Sequence, residues 1–301
     1  MYLHEDRAAF QLVIQDAVSH FKKKASIIEK DYYITMILKL LAENLDDCVF
    51  KGGTSLSKGF HVLNRFSEDV DITFTGHLGE SRRKNLKNVV LRDISQKLHM
   101  PISNWEKTRS KRDYNCYVFE YIPLNRDDVD NILPDVRLET ALGSSAFPTE
   151  TREIDSYVGS YLREKNLALY ERYALEPFQM CLQSLERTYI DKVFALCDYY
   201  LQRKSIRYAR HLYDIFQLTS LIKFDEAFKK LIGDVREHRA KMKICPSAVS
   251  DVDVSKLLLE VCDSNFFMED YGKLTPLFIE APVAYEDAVR QLRTLAVSGW
   301  F

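Results

Sequence analysis

Two aspartates, one residue apart, follow a pair of glycines in the stretch Phe50–Phe74, which reads FKGGTSLSKGFHVLNRFSEDVDITF. The alternating pattern of EDVDITFTG predicts a strand, on which Asp69 and Asp71 share one face. Residues two apart on a strand lie about 6.6 Å apart at Cα, so both carboxylates can bind one divalent ion or hold two ions side by side. Their hard oxygen atoms favour Mg²⁺ or Mn²⁺ over zinc.

The glycine pair predicts a turn between a short apolar strand, DDCVF, and a helix. Gly52 and Gly53 allow the backbone to turn sharply and to approach a ligand closely. The helix that follows, with Thr54 or Ser55 near its N-cap, would present N–H groups to a phosphate, and Lys58 would add positive charge one turn later. In this order, the turn and the Asp-x-Asp strand together indicate a nucleotide-phosphate site more specifically than either motif alone.

Other phosphate and metal motifs are absent from the sequence. Counting from Gly52, Ser57-Lys58-Gly59 stands where a P-loop requires Gly-Lys-Ser/Thr. The sequence has no G-x-G-x-x-G and no H-E-x-x-H, which excludes a dinucleotide fingerprint and the zinc-protease motif.

The composition is that of an ordinary globular protein, with 301 residues, 46% hydrophobic and 29% charged, and a net charge of -2. Six scattered cysteines without a C-x-x-C pair predict reduced core residues in a cytosolic protein. The start, MYLHEDRAAF, lacks the pattern of a signal peptide, and no apolar run reaches the roughly 20 residues that a membrane span needs. We therefore expect a cytoplasmic protein without a membrane partner.

The periodicity of the chain changes along its length. The first half mixes helical stretches with alternating strands such as DVRLETAL, and IIEKDYYITMILKLLAEN predicts an amphipathic helix. The part after about Asp155 shows helical periodicity almost throughout, beginning with PFQMCLQSLERTYIDKVFALCDYYLQRK. This pattern predicts an α/β core with N-terminal helices over residues 1–155 and a helical domain over residues 156–301. Three basic clusters, at 81–87, 107–112 and 202–211, are candidate RNA contacts, because cations pair with phosphates and an interleaved aromatic such as Tyr208 can stack on a base.

The stretch from Phe50 to Phe74 resembles the first signature of DNA polymerase β-like nucleotidyltransferases, and more narrowly the AbiEii/AbiGii toxin branch, which reads G-G-T-[SA]-L-[SA]-K and then R-F-S-E-D-[IV]-D. IIEKDYYIT resembles the upstream helix of that branch. ERTYIDKVFAL resembles its lysine motif, with Lys192, and RYARHLYDIFQL its final motif, with Arg210 and Asp214. The matching motifs run in order from about Ile27 to Leu218.

This resemblance implies an α+β fold, with a polymerase β-like nucleotidyltransferase core that has a mixed β-sheet and flanking helices, followed by a mostly helical C-terminal domain. It implies transfer of a nucleoside monophosphate from an NTP to an acceptor, with Mg²⁺ or Mn²⁺ as cofactor. Members of the branch are toxins of bacterial toxin–antitoxin or phage-defence pairs, and this form of phage defence is called abortive infection. The resemblance therefore implies an antitoxin partner, and it also implies an RNA acceptor such as tRNA.

The resemblance also assigns roles to individual residues. Asp69 and Asp71 would bind the metal, and Glu139 on a later strand, with Asp135 as the second choice, would complete the metal shell or deprotonate the attacking hydroxyl. Lys192 would clamp a phosphate, and Asp214 would orient Lys192, Arg210 or the acceptor. The predicted nucleotide-binding residues are Lys51, Gly52, Gly53, Thr54, Ser55, Lys58 and Arg210. Where the branch often reads Arg-Asp-Leu-Tyr-Asp, this chain has a histidine at the second position.

Two alternatives to nucleotide transfer remain at this point. The same residues suit a kinase-like enzyme, in which a protein or a small molecule attacks the γ-phosphate. They also suit a nucleotide-binding module that acts without catalysis.

Overall fold

The computed structural model describes residues 1–63, 65–125, 132–242, 244–278 and 281–301. Two compact units make up this part of the chain. The first comprises Met1–Gly59 and Glu68–Leu182, and the second comprises Phe60–Ser67 and Gln183–Phe301. The first unit continues past residue 155, where the sequence analysis places the domain boundary, because a strand at 178–183 joins its sheet. The division into domains 1–155 and 156–301 stays a prediction.

The helices and strands are numbered in chain order. As far as the unit boundary, which falls at the end of the last strand, they are α1 (Arg7–Phe21), α2 (Ala25–Asn44), β1 (Cys48–Lys51), α3 (Gly52–Lys58), β2 (Asp69–Phe74), α4 (Glu80–Asn85), α5 (Arg92–Lys97), β3 (Tyr114–Glu120), β4 (Asp135–Ser145), β5 (Thr149–Ile154), α6 (Tyr157–Lys165), α7 (Leu167–Arg172) and β6 (Phe178–Gln183). After the boundary they are α8 (Leu185–Leu201), α9 (Arg210–Thr219), α10 (Glu226–Ala240), α11 (Val254–Ser264), α12 (Met268–Phe278) and α13 (Tyr285–Val297).

The strands form one mixed sheet in the order β3-β4-β2-β1-β6-β5. β1 is antiparallel to β2 and parallel to β6, and β4 is parallel to β2 and antiparallel to β3. Helices accompany this sheet in the first unit, and the second unit is helical after β6. The predicted α+β fold with a mixed sheet is therefore confirmed.

The two central strands owe their orientation to an alternation of apolar and polar residues. On β2, Val70 and Ile72 are buried while Asp69 and Asp71 are half-exposed. On β4, Val136 and Leu138 are buried, whereas Asp135, Arg137 and Glu139 are half-exposed. Because side chains alternate between the faces of a strand, each strand turns its apolar residues to the core and its acidic residues to the opposite face, as predicted.

Helix α2 differs from the amphipathic helix that its sequence predicts. Every residue from Ile28 to Leu38 is buried, including the charged run Glu29-Lys30-Asp31. A helix with apolar residues all round becomes enclosed by its neighbours, and in α2 that enclosure takes the charged side chains with it. Buried charges are costly unless they are paired, so each of these three side chains needs a partner.

The predicted helical reading of PFQMCLQS is wrong, because Phe178–Gln183 forms β6 beside β1. Met180 and Leu182 are buried and the residues before each of them are more exposed, which is the period of a strand. The helical prediction becomes correct only from Leu185. There Ser184 caps α8 by accepting a hydrogen bond from the Arg187 N–H at 3.2 Å.

The second unit is built from amphipathic helices, as predicted. In α9, for example, Leu212, Ile215 and Leu218 are buried on one face, and α13 and α11 pack against each other. Within the described ranges, no helix combines the length and the apolar character required to cross a bilayer. All six cysteines are free, in agreement with the prediction that they form no disulfide framework.

Candidate active site

Three carboxylates lie on neighbouring strands at one face of the sheet. β2 and β4 pair in parallel, and their register places Asp71 beside Glu139 and Asp69 beside Arg137. Paired positions on adjacent strands point their side chains to the same side. All four residues are half-exposed. The structure thus brings together the two aspartates of the sequence motif and the glutamate predicted from the later strand.

The turn at Gly52 lies directly against Asp71. Gly52 has a φ of +78°, in the left-handed region where a Cβ causes strain. A Cβ at this position would lie 2.1 Å from Asp71 Oδ2, so the carboxylate occupies the space that a side chain would fill. Lys51, half-exposed, is paired with Asp71 across β1 and β2. The glycine turn and the Asp-x-Asp strand therefore belong to one site, and Gly53 is half-exposed beside it.

The hydroxyl groups after the glycines hold the turn in place. Helix α3 begins at Gly52, with Lys51 as its N-cap residue, and Thr54 and Ser55, predicted near the N-cap, lie in the first turn that follows it. Thr54 Oγ1 donates to the Asp69 carbonyl, and Ser55 Oγ donates to the Gly52 carbonyl at 2.9 Å. Both side chains are buried. Their hydroxyls tie α3 to the start of β2 and close its first turn, while their predicted contacts with a nucleotide stay a prediction.

Lys58 is engaged in an ion pair inside the first unit. Its Nζ lies 2.5 Å from Asp31 Oδ1, and the other Asp31 oxygen accepts a hydrogen bond from the Tyr157 N–H at 3.0 Å. Lys58 and Asp31 are both buried. This pair joins α3 to α2 and to the start of α6. The predicted role of Lys58 in binding a nucleotide stays a prediction, and its observed contact is structural.

Tyr114 was not selected from the sequence and lies near the third carboxylate. It is on β3, two residues before Cys116, which pairs with Glu139. Burial of the hydroxyl, together with the nearby Glu139 charge, raises the pKa of Tyr114. Burial and the charges of Glu139 and Asp69 raise the pKa of Cys116 to about 11. Tyr114 therefore keeps its proton at neutral pH, as a neutral hydroxyl near the Glu139 carboxylate.

Lys30 lies at the start of β2 and β4, near Glu68 and Asp135, and was not selected from the sequence. Its side chain is 0% exposed, with Nζ 3.7 Å from Glu68 and 3.9 Å from Asp135, and it donates to the Leu133 carbonyl at 3.1 Å. Burial lowers the pKa of Lys30, whereas Glu68 and Asp135 oppose that shift. Asp135, the second choice for the third carboxylate, thus lies between two cations, with its Oδ1 3.9 Å from Lys30 and 3.7 Å from Arg137. Glu139, which lies beside Asp71, is the better candidate.

In the second unit, Asp214 is held by two cations. Its oxygens lie 2.6 and 2.8 Å from the Arg65 guanidinium, and Lys192 Nζ lies 2.6 Å from Oδ2. Burial would raise the pKa of Asp214, but Arg65 and Lys192 hold it well below its usual range. Burial lowers the pKa of Lys192 and Asp214 opposes that effect. Asp214 thus contacts Lys192, one of the groups that it is predicted to orient, and that role stays a prediction. Arg65 was not selected from the sequence.

Arg210 and His211 open helix α9 in this unit. Arg210 is half-exposed. Burial and then the Lys192 charge lower the pKa of His211 well below its usual range, so this side chain is neutral at physiological pH. Lys192, Asp214 and Arg210 thus form a group of their own within the second unit, and their predicted roles in the reaction stay predictions.

The sequence matches the family model described as "Nucleotidyl transferase AbiEii toxin, Type IV TA system" over residues 39–291, which is most of the chain. The chain belongs to the AbiEii family. It is therefore a nucleotidyltransferase and the toxin of a type IV toxin–antitoxin system, which implies an NTP substrate and an antitoxin partner. The resemblance seen in the sequence motifs is confirmed.

A solved structure supports the fold of this AbiEii-family chain. The chain is similar to MenT4, a nucleotidyltransferase toxin from Mycobacterium tuberculosis H37Rv, with a TM-score of 0.51 and 15% sequence identity. The alignment covers 96% of this chain and 89% of MenT4. A search of the curated proteins finds no match.

Nucleotidyltransferases generally use divalent metal ions, and the carboxylate face of this AbiEii-family protein fits one. Asp69, Asp71 and Glu139 offer only oxygen ligands, which Mg²⁺ and Mn²⁺ prefer. Across the ranges that the structure describes, no three acidic, histidine or cysteine side chains already surround a common point. Mg²⁺ commonly takes one or two protein carboxylates and completes its shell with water and substrate phosphates.

Replacing Gly52 with alanine is expected to impair both stability and nucleotide transfer. The new Cβ would collide with Asp71 Oδ2 at a positive φ, so we expect a loss of about 1–3 kcal/mol in the free energy of unfolding. Displacement of the Asp71 carboxylate should lower the transfer rate at least about tenfold, because an increase of roughly 1.4 kcal/mol in the activation free energy is enough for that loss. Urea denaturation and a transfer assay measure the two effects.

Gly76→Ala is the matched control for this substitution. A Cβ at Gly76 meets no atom within 4 Å, and its φ lies outside the positive range. It should leave both stability and activity near those of the wild type. Wild-type activity in Gly52→Ala would show that the glycine turn does not position Asp71.

Proposed function

We propose that this AbiEii-family toxin transfers a nucleoside monophosphate from an NTP to a hydroxyl group of an RNA acceptor, with tRNA as the leading acceptor class, and that the reaction depends on a divalent metal. The observation that carries the proposal is the shared face of Asp69, Asp71 and Glu139 beside the Gly52 turn. The RNA acceptor and the place of the activity in phage defence follow from the family resemblance.

In this proposal the residues of the first unit divide the work. Asp69 and Asp71 would hold the divalent ion, which supplies charge neutralisation at the phosphates when bound. Glu139 accepts the proton of the attacking hydroxyl, and Tyr114 supplies a neutral hydroxyl near that carboxylate on the paired strand. Gly52 and Gly53 bring the backbone close enough to contact the triphosphate, which a side chain at Gly52 would prevent.

The proposed reaction is a single displacement at the α-phosphate. The acceptor oxygen forms a bond to the α-phosphorus as its proton passes to Glu139. The bond from the α-phosphorus to the bridging oxygen of the β-phosphate breaks, and pyrophosphate leaves. The product is RNA extended or capped by one nucleoside monophosphate.

The proposal predicts which phosphate is transferred. The purified protein is incubated with Mg²⁺, total RNA and each of the four NTPs, labelled with ³²P at either the α- or the γ-position. We expect α-label in RNA of tRNA size and release of pyrophosphate, with no γ-label in any acceptor. A chelator of divalent ions should stop the incorporation. Incorporation of γ-label into protein or a small molecule would instead support the kinase-like alternative and would contradict nucleotide transfer.

A further inference from the structure

The basic cluster at 81–87 is largely neutralised by its own surroundings. Arg82, Arg83 and Lys84 each lie within 3.0 Å of a carboxylate oxygen. Lys87 is buried and donates to the backbone carbonyls of Trp105 and Thr108, at 3.2 and 2.9 Å. The cations of this cluster therefore serve the fold of the first unit, and few of them remain to pair with a phosphate.

The cluster at 107–112 is folded onto its own loop. Arg109 donates to the Glu106 carbonyl and, at 2.9 Å, to the Thr108 carbonyl. Arg112 donates to the Lys107 carbonyl at 3.3 Å. These guanidinium groups stabilise the loop by local hydrogen bonds, which a nucleic acid would have to replace.

The connection between α8 and α9, residues 202–209, which we call the basic turn, is different. Arg203, Lys204 and Arg207 are exposed, and the sequence has no acidic residue between Asp198 and Asp214. Within the described ranges none of these three cations forms an ion pair: Arg203 lies over the Tyr200 ring at 5.3 Å and Lys204 donates to Gln202 at 2.9 Å. The turn thus carries three positive charges that the described part of the protein leaves uncompensated.

Aromatic rings adjoin these charges. The rings of Tyr199 and Tyr208 are stacked, with centroids 3.6 Å apart and planes 18° apart, and His211 continues the stack at 5.5 Å from Tyr199. The distance from Tyr208 to His211, 6.5 Å, is the longest of the three, so Tyr208 forms one end of the stack and is half-exposed. Nearby, Ile206 is 73% exposed. Exposed cations beside a stacked aromatic platform are the combination that single-stranded RNA requires, since its phosphates pair with cations and its unstacked bases lie on aromatic rings.

We infer that the basic turn binds a single-stranded segment of the RNA acceptor. Arg203, Lys204 and Arg207 contact phosphates, and Tyr208 supports a base. This inference rests on the proposed function for the identity of the acceptor. The turn leads directly into α9, whose Asp214 contacts Lys192. RNA bound at the turn is therefore bound next to the helix that carries Asp214, a predicted reaction residue.

The test compares two triple variants of the full-length protein. Arg203→Gln/Lys204→Gln/Arg207→Gln removes the three cations of the basic turn. Lys223→Gln/Lys229→Gln/Lys230→Gln removes three exposed cations elsewhere in the same unit and gives the same net charge. Thermal unfolding checks that both variants are folded. Binding is measured by fluorescence anisotropy with a labelled, unstructured oligoribonucleotide of about 12 nucleotides, a length in the range that such sites cover, over a series of salt concentrations.

We expect the basic-turn variant to bind the oligoribonucleotide at least about tenfold more weakly, with the slope of log affinity against log salt reduced by about two, because each lost phosphate contact on a single strand removes about 0.7 from the slope. The KM for RNA should rise while the KM for NTP stays unchanged. The control variant should bind within about twofold of the wild type. Tyr208→Leu should weaken binding and Tyr208→Phe should not, because only the first removes the ring.

Equal weakening of RNA binding by both triple variants would overturn the inference. Displacement of the oligoribonucleotide by polyglutamate at the same charge concentration would also overturn it, because the turn would then bind any polyanion. The outcome also separates the inference from the proposed function. If α-label enters RNA but the basic-turn variant keeps the wild-type KM for RNA, the inference is wrong and the function stands. If no label enters RNA but only the basic-turn variant loses RNA binding, the reaction is wrong and the RNA surface stands.

Discussion

Asp71→Asn is expected to lower nucleotide transfer by about 10³-fold or more while leaving the protein folded. The loss corresponds to about 4 kcal/mol of transition-state stabilisation, a reasonable share for a carboxylate that holds a catalytic metal. Asp71 is the residue where the parts of the site meet, since Glu139 lies beside it on β4 and the Gly52 backbone lies against its carboxylate. The asparagine keeps the shape of the side chain and removes its charge. Steady-state incorporation of α-labelled nucleotide measures the effect.

The stability of Asp71→Asn should move in the opposite direction from its activity. Neighbouring like charges on adjacent strands destabilise a sheet by up to about 1 kcal/mol, and the substitution removes one charge from the face that carries Asp69 and Glu139. We therefore expect a free energy of unfolding equal to or above that of the wild type. Calorimetric titration with Mn²⁺ and a non-hydrolysable NTP should show weakened metal binding by the folded variant.

Asp93→Asn serves as the control for Asp71→Asn. It is the same substitution in the same unit, at an exposed position where the carboxylate pairs with Lys97 at 2.8 Å, and surface pairs of this kind contribute only about 0–1 kcal/mol. Its transfer rate should equal that of the wild type. If Asp71→Asn kept more than about a tenth of the wild-type rate, a role of Asp71 in holding the metal would be ruled out, because the lost carboxylate would have contributed less than about 1.4 kcal/mol.

The faces of the catalytic strands could be predicted from the sequence because the signal is local. Alternation within EDVDITF and DVRLET decides which side chains turn to the core, and any neighbouring apolar layer enforces that choice. The glycine motif similarly predicted a turn with close backbone approach, which Gly52 provides by its φ of +78°. The local pattern therefore predicted the face of the strand to which each side chain points.

Partners across the fold could not be predicted in the same way. The pairing of Asp71 with Glu139, the placement of Tyr114 near Glu139 and the ion pair of Arg65 with Asp214 each join residues that are distant in sequence. Alternation does not specify which strands become neighbours or in which register. Tyr114 was visible only as one more aromatic residue in a strand, and Arg65 only as the first residue of the R-F-S-E-D-[IV]-D signature, with no role assigned to it.

The incorrect predictions have related causes. The apolar residues of α2 satisfy a helical stripe, but they continue round the helix, so burial on all sides carried Lys30 and Asp31 into the interior. The residues of β6 satisfy a helical spacing over a longer window, whereas their short alternation fits a position beside β1. In both cases the tertiary neighbours, and not the local propensity, decided the outcome.

The carboxylates of the two units contrast in how their charges are balanced. Asp69, Asp71 and Glu139 share a half-exposed face on which Arg137 is the neighbouring cation of β4, an arrangement that presents several oxygen atoms to a metal ion. Asp214 is fully enclosed and bound by Arg65 and Lys192. The first group is suited to binding a ligand, and the second is suited to fixing two basic side chains. Substitutions should therefore separate activity from stability along this division.

Asp214→Asn is expected to reduce the free energy of unfolding of the second unit by about 3–5 kcal/mol, the cost of removing one partner of a buried ion pair. Asp214 is 0% exposed, so the Arg65 and Lys192 charges would remain buried without a counter-ion. The depressed pKa of Asp214 means that its stabilising effect is fully present above the pKa of an unfolded aspartate, about 4, and is lost as the pH falls through the lower pKa of the folded state. The measurement therefore belongs at pH 7.

Urea denaturation can report on the second unit selectively. The chain has two tryptophans, and in a Trp105→Phe background the fluorescence of Trp300, which packs near Phe224 and Phe228, follows the unit that contains Asp214. Asp263→Asn is the matched control, because Asp263 also pairs with an arginine, Arg293, at 2.6 Å but at an exposed position. It should cost about 0–1 kcal/mol. Equal losses in the two variants would mean that burial does not set the strength of the Asp214 cluster, and that Lys192 is held in place by other contacts.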